Sequence, residues 1–422
     1  MKKVSLLIML LFAGIVSMAQ SLDDIKDLVG KGKFSDAKTA IDKYLLEPKK
    51  ANSSEAWFYK GRIYNLLSRE SATPHNDLYI LRKDAFDAFK KNQELDKKDL
   101  FLSLDSHISY LDLYLGFYDL GVQEFNAKNF DAAFEAFKKA LEVKDYTLAK
   151  KYEYTQVKLY ALDTALVLNT AASGIQAKRE DEAMIFYKKI ADANVAIAEY
   201  KDVYKYLAEY YLKKDDDASL QDLLQKAKRL YPKDDFWTDI ELRVINKKGD
   251  KEVLYAKYET LIAENPSSFF LGYNYSVEMY NALYGKAANK QGDIAFSNKL
   301  TDVIKKTIAN ETEDNSATIL MAIHLFNMSA DLLNASNMIR STKPVDLKRK
   351  ADLKSASNKS MEECIIYSEL VLKYIDAIPK KTGIQKANYK MALNYLSDIY
   401  NLKNNKAKAA EYDKKIAIAD KW

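Results

Sequence analysis

Residues 201–234 are KDVYKYLAEYYLKKDDDASLQDLLQKAKRLYPKD, and residues 235–268 are DFWTDIELRVINKKGDKEVLYAKYETLIAENPSS. Aligned without a gap, the two 34-residue segments place similar residues in register. The matched positions are Ala208 with Leu242, Leu224 with Tyr258, Ala227 with Leu261, and Pro232 with Pro266. A fixed period of this length is typical of a helix–turn–helix unit that stacks on copies of itself. The stretch therefore predicts a protein built from repeated helix pairs.

The composition agrees with this interpretation and excludes other classes. Only 12 Gly and 6 Pro occur among 422 residues, whereas sandwiches and barrels need many tight turns rich in these residues. Lys and Arg number 65 against 60 Asp and Glu, and the net charge of +5 is spread along the sequence. Nucleic-acid binding requires basic residues clustered on one face. We therefore expect an all-α protein that does not bind nucleic acid.

Residues able to carry catalysis or to bind a metal are few and scattered. No partner lies at a metal-ligand spacing from His75, His107 or His324. We expect His75 to be solvated in a loop and the other two to be structural residues within helices. Cys364 is expected to be a small core residue, and the acidic run 215–217 to cap a helix rather than bind calcium. The sequence thus predicts a non-catalytic protein with no metal and no cofactor.

Residues 1–19 have the three-part layout of a secretory signal peptide. Lys2 and Lys3 precede an apolar run over 4–16, and Ser17-Met18-Ala19 supplies small residues for cleavage before Gln20. We predict an exported protein that is periplasmic or peripherally attached to the outer membrane. An uncleaved N-terminal anchor is the alternative. No other apolar stretch is expected to reach membrane-spanning length, so the mature protein should have no transmembrane segment.

Other segments resemble the tetratricopeptide repeat family. That repeat has small residues at positions 8, 20 and 27, where its two helices approach closely, and large residues at positions 4, 11 and 24. Trp57, Gly61 and Tyr64 match positions 4, 8 and 11, and Gly121 with Phe137 matches positions 8 and 24. The resemblance implies a right-handed α-solenoid of about eight or nine antiparallel helix pairs. The composition also resembles that of exported Bacteroidetes-type repeat proteins.

The repeat is regular only in part of the sequence. Insertions are expected at residues 68–77 and 285–293, and residues 341–360 are predicted to be an insertion or an extended connection before an amphipathic helix at 361–378. Glu124 stands where the family has Tyr at position 11. We therefore divide the protein into a signal peptide (1–19), a regular solenoid (20–283) and irregular helical repeats that continue it (284–422).

In the family, positions 2, 5, 9, 12 and 13 of the first helix line the concave face. Carried over position by position, the resemblance implies a partner-binding surface of aromatic, amide and basic side chains. These candidates are Phe58, Arg62, Asn65, Tyr118, Phe125, Asn126, Arg243, Asn246, Lys247, Tyr273 and Tyr280. Such a mixture suits a peptide, because rings give contact area while amide and guanidinium groups fix orientation. Some of these aromatics could instead pack only against the next repeat.

The resemblance therefore predicts a non-catalytic scaffold that binds a protein or peptide partner in the cell envelope. The family's clamp for the terminal carboxylate of a peptide is not reproduced in consecutive units, so recognition of such a terminus is not expected. Two alternatives stay open: an envelope protein that binds glycans or nutrients, and an enzyme whose site lies in the irregular C-terminal third.

Overall fold

The computed structural model describes residues 21–155, 157–311 and 315–421. The predicted signal peptide and its cleavage junction lie outside these residues. Within them the protein forms 19 α-helices and no β-strand, which confirms the predicted all-α class. The protein divides into two compact units, Met1–Trp237 and Thr238–Trp422. The expected change in repeat regularity at residue 284 stays a prediction.

In the described part of unit 1 the helices pack in sequential pairs, which are joined by short turns except for the longer segment 68–77 between the third and fourth helices. They are α1 (Leu22–Gly30), α2 (Phe34–Leu45), α3 (Ser54–Leu67), α4 (Leu78–Leu95), α5 (Leu100–Ser103), α6 (Ile108–Asn126), α7 (Phe130–Ala149), α8 (Thr164–Gln176), α9 (Glu180–Asp192), α10 (Lys201–Lys213) and α11 (Asp217–Leu230). The pairs are α1 with α2, α3 with α4, α6 with α7, α8 with α9, and α10 with α11. Because short turns reverse the direction of the backbone, paired helices are antiparallel.

Polar residues set where several of these helices begin. Ser53, Asp163 and Asp216 each accept a hydrogen bond from a backbone N–H in the first turn of α3, α8 and α11. Such caps satisfy amide groups that have no partner inside the helix. Asp216 belongs to the acidic run 215–217, so this run caps a helix, as the sequence predicts.

Within a pair, the helices approach closely where the first helix has a glycine. A Cβ atom added at Gly121 on α6 would lie 2.5 Å from the Phe137 ring on α7, and one added at Gly61 on α3 would lie 2.5 Å from the Phe89 ring on α4. All four residues are buried. The aromatic side chain at position 24 therefore fills the space that the glycine at position 8 leaves open. This is the packing that the tetratricopeptide spacing predicts.

Unit 2 begins within α12 and continues the same pattern. Its helices are α12 (Phe236–Lys247), α13 (Lys251–Glu264), α14 (Phe269–Tyr284), α15 (Ile294–Ile308), α16 (Ser316–Met338), α17 (Pro344–Asp376), α18 (Gly383–Leu402) and α19 (Lys406–Ala419). The pairs α14 with α15, α16 with α17, and α18 with α19 pack together. Below, the first helix of each pair is its A helix and the second its B helix. The right-handed sense and the number of repeats stay predictions.

The sequence-based expectation for residues 341–360 is corrected by α17. These residues are not a loop, because one 33-residue helix runs from Pro344 to Asp376 and includes the amphipathic segment predicted to begin at 361. Pro344 is tolerated because it occupies the first turn, where its missing N–H removes no helical hydrogen bond. The Ser357 and Ser360 hydroxyls donate to the carbonyl oxygens of Ser329 and Leu325 on α16, at 2.8 and 2.9 Å. Small polar residues thus let the two long helices lie close together.

The expectation that no further apolar stretch reaches spanning length is wrong for α16. This helix has 23 residues and contains an 18-residue stretch with a mean hydropathy of 1.3, so by length and composition it could cross a membrane. Half of that stretch is buried inside the protein, where α16 packs against α15 and α17. Its apolar composition thus agrees with its place in the core of unit 2.

His324 is a buried polar residue of α16. Its side chain is fully buried, and Nε2 lies 2.8 Å from the Thr301 hydroxyl and 3.1 Å from the carbonyl oxygen of Ser297. Burial lowers the pKa of His324 to about 4, since a low-dielectric surrounding disfavours the charged imidazolium. The imidazole is therefore neutral at pH 7 and acts as a structural group, as expected from the sequence.

We expect Gly121→Ala to destabilise unit 1 by about 1–3 kcal/mol, because the new methyl group overpacks the buried Phe137 ring. Gly30→Ala is the matched control. Gly30 ends α1, and an added Cβ would meet no atom within 4 Å. It should be neutral or stabilising by up to about 1 kcal/mol, because alanine has the higher helix propensity. Urea unfolding of both variants measures the difference, and equal effects would contradict the close-approach argument.

We expect His324 to make unit 2 less stable in mild acid. Below pH 6.5 the unfolded protein binds a proton at this residue, whereas the folded protein does so only near pH 4, so stability is lost as the pH falls through this window. From pH 7 to pH 5 the loss is roughly 2 kcal/mol. His324→Gln should remove it. Urea unfolding of both proteins at the two pH values tests this, and an unchanged pH dependence in the variant would refute it.

Candidate functional site

The A helices of unit 2 present a face that is only partly buried. On α14, Tyr273, Val277 and Tyr280 follow each other at spacings of four and three residues, which places them on one side of the helix. On α16, Ile319, Ile323 and Phe326 have the same spacing and are also partly buried. Successive A helices α14, α16 and α18 contact one another. Their partly exposed residues therefore form one surface within unit 2.

Two side-chain contacts join these helices. The Asn327 amide on α16 donates to the Tyr280 hydroxyl on α14 at 3.0 Å. The Phe326 ring stacks on the Tyr395 ring of α18, with ring centroids 4.1 Å apart and planes 17° from parallel. Tyr273 stacks on Phe269 one turn earlier on its own helix, at 5.5 Å. We name the set Tyr273, Tyr280, Phe326, Asn327 and Tyr395 the A-face strip.

The Tyr280 and Tyr395 hydroxyls of the A-face strip are uncharged at neutral pH. Burial raises the pKa of Tyr280, and it raises the pKa of Tyr395 to about 12. Both hydroxyls therefore stay protonated and can donate and accept hydrogen bonds. Stacked rings and a side-chain amide offer flat apolar contact together with polar groups that fix orientation. This arrangement can hold an extended polymer with both apolar and amide character, but it carries no nucleophile or acid–base pair.

Sequence reasoning identifies two of these five residues and misses three. Tyr273 and Tyr280 follow from the register after Pro266. Phe326, Asn327 and Tyr395 are missed because α16 and α17 are longer than a standard unit and the 34-residue period is lost. A weaker signal is present: buried Ala322 occupies the small position 8 of α16, and this places Phe326 and Asn327 at positions 12 and 13.

The predicted residues of α12 are engaged in contacts inside the protein. The Asn246 amide donates to Glu278 of α14 at 3.4 Å, and its oxygen accepts from the Lys251 ammonium group at 2.7 Å. Arg243 is exposed, and its guanidinium group lies 3.7 Å from Asp239. Lys247 is exposed and also interacts within the protein. These three residues thus form a polar region, distinct in chemistry from the aromatic A-face strip.

Two predicted residues of unit 1 are corrected to core positions. Phe58 is 5 % exposed and Asn65 is 5 % exposed. The Phe58 ring packs against Phe89 of the paired helix at 6.3 Å and against Phe101 of α5 at 5.8 Å. The short helix α5, which a standard repeat lacks, thus covers the position that would otherwise face outward. We therefore remove Phe58 and Asn65 from the candidate surface.

The other predicted residues of unit 1 lie at or near the surface. Arg62 and Asn126 are exposed, and Tyr118 and Phe125 are partly buried. The Tyr118 ring packs against Phe137 at 5.8 Å, and the Phe125 ring packs edge-on against that of Phe130 at 5.3 Å. Both aromatics thus contribute to packing within the α6–α7 pair. The structure does not join them into a continuous strip of the kind seen in unit 2.

Glu124 contacts the insertion at residues 68–77. The Glu124 carboxylate is buried, accepts from the Asn129 amide at 2.8 Å and lies 2.6 Å from His75 Nε2. The expectation that His75 is solvated in a loop is therefore corrected. His75 pairs with Glu124, the residue that departs from the family pattern. An acidic residue at position 11 of this repeat serves to dock the insertion that precedes α4.

The remaining reactive groups occur as pairs or alone. His107 lies in the turn before α6 and not within a helix, which corrects the expectation from the sequence. Its Nε2 lies 2.5 Å from Asp99, and the imidazole stacks on Tyr152. Cys364 is buried, and burial raises the pKa of its thiol to about 12, which keeps it unreactive at neutral pH. Across residues 21–155, 157–311 and 315–421, no group of three or more His, Cys, Asp or Glu side chains is placed to hold a metal ion.

No protein-family model matches this sequence, and no curated protein matches it. Among solved structures, the protein is similar to the TPR2AB-domain:pHSP90 complex of yeast Sti1, with 15% identity over 73% of this chain and 98% of that chain and a TM-score of 0.23. It is also similar to the structure of Naa15/Naa10 bound to HypK-THB, with 15% identity over 94% of this chain and 57% of that chain and a TM-score of 0.30. The protein thus spans little more than half of the latter. A third similar structure is the APC/C hetero-tetramer Cut9-Hcn1, with 13% identity over 95% of this chain and 88% of that chain and a TM-score of 0.21.

With TM-scores this low, the fold assignment rests on the molecule itself. The sequential antiparallel pairs supply one part of the evidence. The second is the close contact of Gly61 with Phe89 and of Gly121 with Phe137, which pairs a small residue of the first helix with a large residue of the second, as the repeat requires. Gly121 and Phe137 keep the spacing of the repeat, whereas the insertion at residues 68–77 separates Gly61 from Phe89. On this geometry, the protein has an all-α fold of sequential helix pairs that resembles the fold of tetratricopeptide repeats.

Proposed function

We propose that this protein is a non-catalytic scaffold that binds a peptide or an extended protein segment along the A-face strip of unit 2. The observation that carries the proposal is that side chains of three successive A helices meet there. The Asn327 amide bonds to Tyr280, and the Phe326 ring stacks on Tyr395. In repeat proteins an extended surface of this kind runs across several units, so that a linear ligand can contact each in turn.

The chemistry of the strip favours a peptide over a charged small molecule. Aromatic side chains supply large contact areas at low cost in conformational entropy, and they commonly dominate binding energy at protein interfaces. The Asn327 amide and the protonated hydroxyls of Tyr280 and Tyr395 can satisfy backbone N–H and C=O groups of a bound peptide. Because these groups are neutral, we expect apolar or aromatic segments to bind better than a charged peptide terminus.

We further propose that the protein acts outside the cytoplasm, in the periplasm or at the outer membrane of the cell envelope. The support is the arrangement of Lys2, Lys3, the apolar run 4–16 and the Ser17-Met18-Ala19 motif. Cys364 is the single cysteine of the sequence, so folding after export would need no disulfide bond. The partner would then be an envelope protein.

Arginine substitutions at the edge of the strip test the binding surface. Asn281 and Asn394 are exposed neighbours of Tyr280 and Tyr395. We expect Asn281→Arg and Asn394→Arg to weaken a bound peptide about tenfold or more, because a bulky charge would occupy the apolar path. The probe is a peptide selected on the mature protein from a random phage-displayed library. Its dissociation constant is measured by fluorescence anisotropy.

The matched control is Asn298→Arg, which makes the same change on an exposed residue of the B helix α15. It should leave peptide affinity unchanged, and circular dichroism should show that all three variants keep their helicity. Equal weakening by the control would refute the assignment to the A-face strip. If no peptide is selected but envelope oligosaccharides bind, the glycan-binding alternative replaces the proposal.

Export is tested by the N-terminus of the protein made in its native host. We expect the envelope fraction to contain a protein that begins at Gln20, identified by intact mass and N-terminal peptide mapping. Ala19→Arg should block cleavage, because the peptidase requires a small residue there, whereas the conservative Ala19→Ser should be processed. A cytoplasmic protein that retains residues 1–19 would contradict the proposed location.

A further inference from the structure

The helices α16 and α17 form a hairpin that is longer than its neighbours in unit 2. The B helix α17 has 33 residues, whereas the B helices α15 and α19 have 15 and 14. Lys403, in the turn that follows α18, forms an ion pair with Glu362 of α17. Because α17 and α18 run in opposite directions, residues 344–361 lie beyond that turn and correspond to about 27 Å of helix. The loop end of the hairpin thus projects past the α18–α19 pair.

The hairpin also extends past its neighbour on the other side. The Lys305 ammonium group of α15 lies 2.8 Å from the Glu363 carboxylate of α17. From this ion pair, α15 reaches back only to Ile294, whereas α17 reaches back to Pro344. About two turns of α17 therefore lie beyond the start of α15.

Two hydrogen bonds hold the loop end of the hairpin together. The Ser336 hydroxyl donates to the carbonyl oxygen of Lys350 at 3.1 Å, and the Lys350 ammonium group donates to the carbonyl oxygen of Ile339 at 3.1 Å. These bonds join the end of α16 to the second turn of α17. We name residues 338–354 the hairpin tip.

The hairpin tip exposes large apolar side chains. Met338 is 80 % exposed, Val345 is 71 % exposed and Leu347 is 49 % exposed. Single exposed apolar residues are common on protein surfaces. Here three of them occur within the ten residues that lead from α16 into α17, at the end that projects from unit 2. Exposed apolar groups gathered in this way mark an interaction site.

Basic side chains accompany these apolar residues. The hairpin tip has six Lys or Arg residues against two Asp, which leaves an excess of four positive charges. Elsewhere in unit 2, Lys299, Lys305 and Lys403 are paired with Glu. In the hairpin tip, five exposed basic residues form no ion pair with any residue in the described ranges: Arg340, Lys343, Lys348, Arg349 and Lys354. Their charges are thus available to an anionic partner.

We propose that the hairpin tip docks this protein on a lipid bilayer that contains anionic headgroups. Met338, Val345 and Leu347 would enter the boundary between headgroups and acyl chains, and the surrounding Lys and Arg side chains would pair with lipid phosphates. An acidic polymer would engage the basic residues alone and leave the apolar side chains in water, whereas a bilayer accounts for both.

This surface goes beyond the proposed peptide binding. Met338 lies twelve residues from Phe326 of the A-face strip, which is about 18 Å along α16. Variants of the hairpin tip should therefore keep the affinity of the protein for the selected peptide. Each proposal can thus fail in experiment without the other.

Vesicle flotation of the full mature protein tests the docking. One set of vesicles is pure phosphatidylcholine, and the other contains roughly 30 % phosphatidylglycerol as the anionic lipid. We expect binding to the anionic vesicles to be about tenfold tighter or more, and to weaken as salt screens the charges. Equal binding to both sets, or binding to neither, would overturn the proposal.

The double substitution Lys348→Gln with Arg349→Gln tests the basic residues. It should weaken binding to the anionic vesicles about tenfold or more, because each basic residue near a bilayer surface contributes to the attraction. The matched control is Lys373→Gln with Lys380→Gln, which removes two exposed charges near the opposite end of α17. Unchanged binding by the first variant, or equal loss in both, would refute the assignment. Circular dichroism checks that both variants keep their helicity.

An environment-sensitive fluorophore tests whether apolar residues enter the bilayer. Val345→Cys and Ile384→Cys each place a nitrobenzoxadiazole label at an exposed apolar position in the first turn of a helix, while Cys364 is buried and should not react. We expect the label at 345 to brighten with anionic vesicles and the label at 384 to stay unchanged. No brightening at 345, together with displacement of the protein by poly-glutamate, would replace the bilayer with an acidic protein partner.

Discussion

The close approach of two helices at a glycine is the contact on which the repeat depends. At Gly121 the absence of a side chain leaves space for the Phe137 ring, and at Gly61 for that of Phe89. A helix pair cannot bury its apolar face by itself, so each pair must pack closely enough to present a regular surface to the next one. In unit 2 the contact between α16 and α17 uses other small groups, and the Cys364 thiol lies 3.4 Å from the carbonyl oxygen of Ala322. Different residues thus meet the same steric requirement.

Most of the helices, though not the part of α17 before residue 361, could be predicted from the sequence, because small and large residues recur at fixed positions and polar residues such as Asp216 cap the first turns. The long-range contacts that the insertions make could not be predicted. Nothing local shows that α5 would cover Phe58, or that His75 would reach Glu124 across the insertion. These contacts join residues that are far apart in sequence, and they change the candidate surface more than any error in helix assignment.

For the candidate site, position-by-position transfer from the repeat succeeds where the period holds and fails where helices lengthen. Tyr280 is found in this way. Its hydrogen bond with Asn327 of α16, and the stacking of Phe326 on Tyr395 of α18, could not be predicted. The reason is that α17 is 33 residues long and the polar pattern of residues 344–360 does not indicate a helix. The longer helices also create the projecting hairpin tip. In this protein the departures from the repeat therefore supply the distinctive chemistry, while the regular part supplies the scaffold.

Site-specific photo-crosslinking tests the central claim most directly, because it reports which helix face a bound partner contacts. A benzophenone amino acid at Tyr280 places the crosslinker on the A-face strip, and the same residue at Tyr367 places it on the B helix α17, where the native ring is also partly buried. The account predicts crosslinks to the selected peptide and to an envelope protein from position 280 and none from position 367. Crosslinks from 367 but not from 280 would contradict it.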